Sequence, residues 1–273
     1  MTNYLDAVGT DKLGARITAD PAEILAAQKL RYQCFIIEEE VGDTTRGGTT
    51  QSFLDVENGV ERDYFDEFCE HLIVTDKIKE QAGASPDEYV VGTYRLMRRE
   101  GAKRAGQWFS ELEFDVEKFM DYPGEVLELG RSCVAQEYRT KMTLAIMWNA
   151  LAAYMFDNNI ELMFGCGTFL GTNLDDHKEA LALLKKKYVA EGKWACKPKG
   201  PTARPFPPVP DDLDDSAALL KMPPIIKGYL RAGCKVSDGL FLDEGWGCFD
   251  ILIIFEIKDA REHYREHYSR RIK

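Results

Sequence analysis

The chain has 273 residues, a formal net charge of −11 at pH 7 and a pI near 5.0. That balance excludes the broad basic surface on which nucleic-acid binding rests. Hydrophobic residues at 45% and charged ones at 30% suit an ordinary globular protein able to bury a full core, read as one domain over 1–273.

In chain order, Asp20, Pro21 and Glu23 read as a capping-box start to an amphipathic helix in "ADPAEILAAQKLRYQCFIIEEE". Residues 42–66 are Gly-, Thr- and Asp-rich and aperiodic, which predicts a long functional loop. Three strands follow in "EHLIVTD", "EYVVGTYRLMR" and "GEVLELGRSCV", with "KIKEQAGASPD" as the hairpin loop between the first two. Residues 139–158 predict a helix apolar almost all round, sandwiched in the core. "IELMFGCGTF" is a buried strand, and "LDDHKEALALLKKKYVAEG" an amphipathic helix with basic last turns. Residues 197–210 hold six of the eleven Pro and predict an irregular excursion. A short helix with a Gly stop, a β-ribbon pair over "KVSDGLFLDEGWGCFDILIIFEI" and a charged terminal helix complete the chain. This order describes a mixed α/β sheet with helices on both faces.

Seven Cys stand singly with no CxxC, and four His show no zinc-ligand spacing. No metal is therefore expected, and the expected compartment is the reducing cytoplasm. The first residues lack the apolar core of a signal peptide, and the apolar runs are too short to span a bilayer.

Glu128 and Arg131 carry opposite charges within one apolar strand. Strict alternation puts them on opposite faces, unless a bulge at Gly130 turns both into one site. Cys133 on the same strand reads as a buried apolar residue rather than a nucleophile, since no His lies near it in sequence. His71 reads as a hydrogen-bonded structural histidine.

The turn "EYRTKMTLA" after this strand resembles the phosphate-cradling turn of GNAT-superfamily acyltransferases. Arg139 is kept, but Met142 and Leu144 replace the two small residues. Such side chains hinder backbone approach to the diphosphate of CoA while leaving room for a single phosphate. The wider pattern "ELGRSCV", "YRTK" and "FGC", with "RDYFDEFCEHLIV", "VVGTYRLM" and "MPPIIKGYLRAGCKVSDG", resembles the ornithine lipid synthases. A more distant resemblance, to acyl-homoserine-lactone synthases, matches Arg31, Tyr32 and Phe35, Asp63 and Asp66, Gly92, Arg95 and Leu96, and Glu128 with Arg131.

These resemblances imply a GNAT-like N-acyltransferase with no bound cofactor. It would move a 3-hydroxyacyl chain from acyl carrier protein to the α-amine of ornithine, with glutamine as the alternative acceptor. Other readings are a homoserine-lactone-type signal synthase and a non-catalytic membrane-active protein. Within the main reading Glu128 is the expected general base, and Arg131 holds the substrate carboxylate or steadies Glu128. Arg31, Phe35, Asp63, Asp66 and Arg95 are expected around the substrate, with Asp63 and Asp66 binding either Arg31 and Arg95 in an ion-pair network or the side-chain ammonium of ornithine. Arg139 and Lys141 would receive acidic carrier protein, with Lys185, Lys186 and Lys187 and residues 97–104 as further basic candidates. The basic C-terminal segment could rest on the inner membrane face.

Overall fold

The computed structural model describes residues 5, 8–38 and 52–259. β1 (Leu13–Thr18) leads into α1 (Pro21–Tyr32), where the Asp20 side chain accepts from the amide of Ala22. The box itself is not closed. Glu23 turns inward to Arg16, Thr18 and Tyr89, and the Asp20 amide goes to Thr18 Oγ1 instead. One wide π-type turn, Gln33–Ile37, extends the helix.

The described part of the expected loop is ordered rather than irregular. β2 (Ser52–Asp55) and β3 (Val60–Asp63) form a hairpin, and a 3₁₀ turn, Tyr64–Phe68, follows. β4 (Glu70–Asp76) joins β5 (Val90–Arg98) through two short helices, α2 (Lys77–Gln81) and α3 (Pro86–Tyr89), where a plain hairpin loop was expected. After α4 (Arg99–Ala105) come β6 (Glu125–Val134), α5 (Lys141–Asp157), β7 (Ile160–Leu170) and α6 (Lys178–Lys187).

The Pro-rich stretch is tied down through β8 (Ala203–Arg204), which pairs with the sheet. α7 (Asp215–Leu220), α8 (Pro224–Ala232), β9 (Lys235–Val236), β10 (Leu240–Asp243) and β11 (Cys248–Glu256) close the described chain. The expected terminal helix lies outside the described residues.

The sheet runs β1-β4-β5-β6-β7-β11-β10-β8, with β9 also on β11. Every pairing is antiparallel except β6 with β7. That parallel pair is the one joined by a helix, α5, as a parallel connection requires. α5 is not buried all round. Ile146, Met147, Ala150, Leu151 and Tyr154 pack inward at helical spacing, while Met142 (56%) and Leu144 (42%) are exposed in its first turns. No helix among the described residues is long and apolar enough to cross a membrane.

Candidate active site

β6 and β7 pair from Glu125–Ile160 as far as Glu128–Phe164, and then part. The fork is tight at its apex, since a Cβ on Gly165 would sit 2.2 Å from the carbonyl oxygen of Leu129. Beyond it opens a cavity of about 390 Å³, lined by Gly130–Ser132 of β6 and Gly165–Thr168 of β7.

The bulge expected at Gly130 is present. Between Thr93 and Arg95 the β5–β6 register slips, and Arg131 takes a left-handed φ of 51°. This conformation is uncommon outside glycine and is held here by what the side chain grips. The Arg131 guanidinium binds Asp63 Oδ2 at 2.9 Å and Glu61 Oε1 at 3.2 Å, and stacks 4.8 Å from the Phe109 ring centroid. Glu128 reaches the same Phe109 turn, so the bulge does bring the two charges to one side.

Glu128, however, does not face the cavity as a base would. Glu128, 3% exposed, accepts from the amides of Phe109 (2.9 Å) and Ser110 (2.6 Å). Those are the orphan N–H groups at the start of a 3₁₀ turn, Phe109–Leu112, so Glu128 caps that turn from a neighbouring strand. It does not line the cavity. Burial raises its pKa against the pull of the Ser110 and Phe109 amides.

Arg31, Asp63, Asp66 and Arg95 also lie off the cavity wall. With Glu61 and Arg131 they make a buried lattice of three guanidinium and three carboxylate groups. Arg31 holds Glu61 and Asp66, and Arg95 holds Asp63 at 2.5 Å. Burial alone would raise Asp66, but the charge and hydrogen bond of Arg31, the charge of Arg95 and the Asp63 amide together outweigh it and keep that carboxyl well below its ordinary value. Of the expected substrate residues only Phe35 joins Arg131 on the wall, where the wide turn after α1 sets it edge-on to Trp246. His71 is buried against the Asp66 carbonyl. Cys133 is buried too, and burial with neighbouring Cys34 pushes its thiol well up, opposite to what a nucleophile needs.

Sequence reasoning missed the carboxylates that do line the cavity. Glu113, Asp243 and Asp250, each under 3% or at 6% exposure, place carboxylate oxygens within 4.8 Å of one another. Glu113 ends the turn that Glu128 caps, and the Pro-rich segment pins it through the Lys199 amide on the Glu113 carbonyl at 2.7 Å. Asp243 accepts from the amides of Gly245 and Trp246 in the β10–β11 turn. Asp250 on β11 accepts from Thr168 Oγ1 at 2.6 Å.

Burial, then repulsion by Asp250 and Asp243, pushes Glu113 well above its ordinary value. Burial first, with Asp243 adding and Thr168 opposing, pushes Asp250 up to about 6. The one available signal was Asp250, a lone carboxylate in the apolar run "CFDILIIF".

At the start of α5, Arg139 is committed to Glu38 and to the Val134 carbonyl at 3.0 Å. Lys141 is exposed. Lys186 and Lys187 pair with Asp215, and Arg98 with Glu125.

A model of the acetyltransferase (GNAT) domain matches residues 30–149. The L-ornithine N(alpha)-acyltransferase of Rhizobium meliloti (strain 1021) is 34% identical over 260 residues, covering 94% of this chain and 84% of that protein. The enzyme of the same name from Brucella abortus (strain 2308) is 34% identical over 271 residues, covering 97% and 92%. Among solved structures, FeeM, an N-acyl amino acid synthase from uncultured soil microbes, overlays with a TM-score of 0.49 at 9% identity, covering 92% of this chain and 93% of that one. The forked mixed sheet and the domain match make this protein an acyltransferase of the GNAT class. Within that class, the chain belongs to the L-ornithine N(alpha)-acyltransferase family.

Proposed function

We propose that the protein transfers a long, 3-hydroxylated acyl chain from acyl carrier protein to the α-amino group of ornithine. The observation that carries this reading is the mixed lining of the cavity at the fork. Its wall holds Leu129, Met163, Ile225 and Tyr229, which suit an acyl chain, together with Arg131 and three carboxylates, which suit an amino acid. The family relatives are named for the same acceptor. The carrier as donor is supported by Met142 and Leu144, which crowd the helix start where a CoA diphosphate would need bare backbone.

The reaction is aminolysis of a thioester. The amine nitrogen attacks the carbonyl carbon, the C–S bond breaks, and the carrier's thiol leaves with a proton. An α-amino group is largely protonated at pH 7 and must first lose a proton to a base. Asp250 suits that task, because a base with a pKa near 6 is ionised at neutral pH yet still draws a proton. Arg131 neutralises the substrate carboxylate from the bulge. Glu128 acts at one remove, by fixing the Phe109–Ser110 turn on which Arg131 stacks and from which Glu113 projects.

The test is mass spectrometry of products from purified protein with 3-hydroxyacyl carrier protein or 3-hydroxyacyl-CoA and a panel of amino acids. N-acylornithine formed with the carrier substrate is expected. Acylation of glutamine alone moves the acceptor, equal use of CoA removes the carrier, and no N-acyl product overturns the reading.

A further inference from the structure

Glu113 is 2% exposed, lines the cavity, and receives a single hydrogen bond, from the Cys166 thiol to Oε2 at 3.3 Å. Its other oxygen has no donor among the described residues, and neither Glu113 nor Asp250 forms an ion pair there. A thiol is a weak donor, and a buried carboxylate without a cation is costly unless something else brings the charge. If Asp250 serves the α-amine, two further carboxylates remain within reach.

We infer that Glu113, with Asp243, holds the side-chain ammonium of the acceptor amino acid and so selects a diamino acid. This rests on the proposed function. Oxygen acceptors set 4.8 Å apart or less around a cavity suit an ammonium with three diverging N–H donors. The Trp246 ring on the same wall already has the Arg131 guanidinium 5.4 Å from its centroid, so the aromatic lining is of the kind that attracts cations. A divalent metal fits less well. Asp243 Oδ1 is already taken by two amides and Asp250 Oδ1 by a hydroxyl. Glu113 Oε2 and Asp250 Oδ2 are engaged by the thiols of Cys166 and Cys248, soft groups that a hard divalent cation does not favour.

The experiment compares ornithine with norvaline, which has the same skeleton without the terminal amine. Glu113→Gln is expected to cut the ornithine-to-norvaline ratio of kcat/KM by roughly tenfold to a hundredfold, the size of losing a hydrogen bond to a charge. Equal falls for both amino acids overturn the inference. Glu113→Asp, which sets the carboxylate back by one methylene, should move preference from ornithine toward lysine, and an unmoved preference overturns it. Thermal shift gives a readout free of turnover. Ornithine but not norvaline should raise the Tm of the wild type, and neither should raise that of Glu113→Gln. If the wild type forms no product but shows this binding pattern, the reaction fails and the ammonium site stands. Selectivity lost to a chelator and restored by Mg²⁺ assigns the cluster to a metal and overturns the inference.

Discussion

Asp250 interrupts a strand that is otherwise apolar, and its cost and its use come from the same burial. Raising its folded pKa to about 6 corresponds to about 3 kcal/mol of destabilisation above that pH. The sign follows from proton uptake. The folded state binds this proton more tightly than the unfolded chain, so stability is highest below the unfolded value and is lost as pH rises through about 6. Asp250→Asn should therefore raise stability by about 1–3 kcal/mol at pH 7.5 and by nothing near pH 3, in urea titrations. The same variant should lose the acid limb of the kcat/KM profile near pH 6, where Asp243, Glu113, Arg131, Thr168 and Cys248 are the groups acting on Asp250. Glu128→Gln should lower activity yet keep that limb, because it loosens the capped turn without removing the base. A lost limb in Glu128→Gln, with an intact one in Asp250→Asn, would restore Glu128 to the base role. The Glu128–Arg131 pair and its bulge were legible because one Gly between two charges in a strand leaves few geometries. The carboxylates at 113, 243 and 250 were not, since only the folded sheet brings them together.

At the scale of elements, the β2–β3 hairpin and the turn after it are held to the sheet by charge as well as by the apolar packing of Phe65. Glu61 of β3 is fully buried and receives Arg31 of α1 on one oxygen and Arg131 of β6 on the other. Removing its charge leaves two buried guanidinium groups short of a partner. Glu61→Gln should thus destabilise the protein by about 3–5 kcal/mol, or speed hydrogen exchange first across β3 and the Tyr64–Phe68 turn. Glu100→Gln, on an exposed pair with Lys103, should change stability by well under about 1 kcal/mol. Comparable small losses in both would mean that the lattice does not hold the hairpin. Motif matching picked out Arg31, Asp63, Asp66 and Arg95 as either a substrate set or an ion-pair network. The spacing of such residues is the same whether they grip a ligand or one another, and burial decides between these outcomes.

For the whole molecule, the succession of strands and helices followed from periodicity, because period 2 and period 3.6 survive in any tertiary setting, whereas the strand order and the one parallel pair belong to the folded sheet alone. The Pro-rich stretch is mostly irregular, as expected, but its part in the site was hidden because prolines speak only to local backbone. Its Lys197 and Lys199 amides are hydrogen-bonded to Asp115 and Glu113, so an irregular segment fixes a cavity carboxylate. Charge is the remaining global property. A chain of net charge −11 repels an acidic carrier protein, so the proposed donor requires a local cationic spot near the open end of the fork. That end is where β6 leads into α5, and the basic groups nearby differ in their freedom. Arg139 is spent on Glu38 and the Val134 carbonyl, and Lys186 and Lys187 on Asp215. Lys141 stands exposed in the first turn of α5 beside the uncovered Met142 and Leu144. Lys141→Glu should therefore raise the apparent KM for acyl carrier protein several-fold and leave the KM for ornithine unchanged. Added salt should weaken the wild type more than the variant, because screening over about 8 Å removes an attraction the variant no longer has. Arg139→Glu is the less clean test, since it also breaks an internal ion pair and should lower Tm. A Lys141→Glu enzyme with the wild-type carrier KM and salt response would move the docking surface to residues 97–104, where charge reversal at Arg104 is the next measurement.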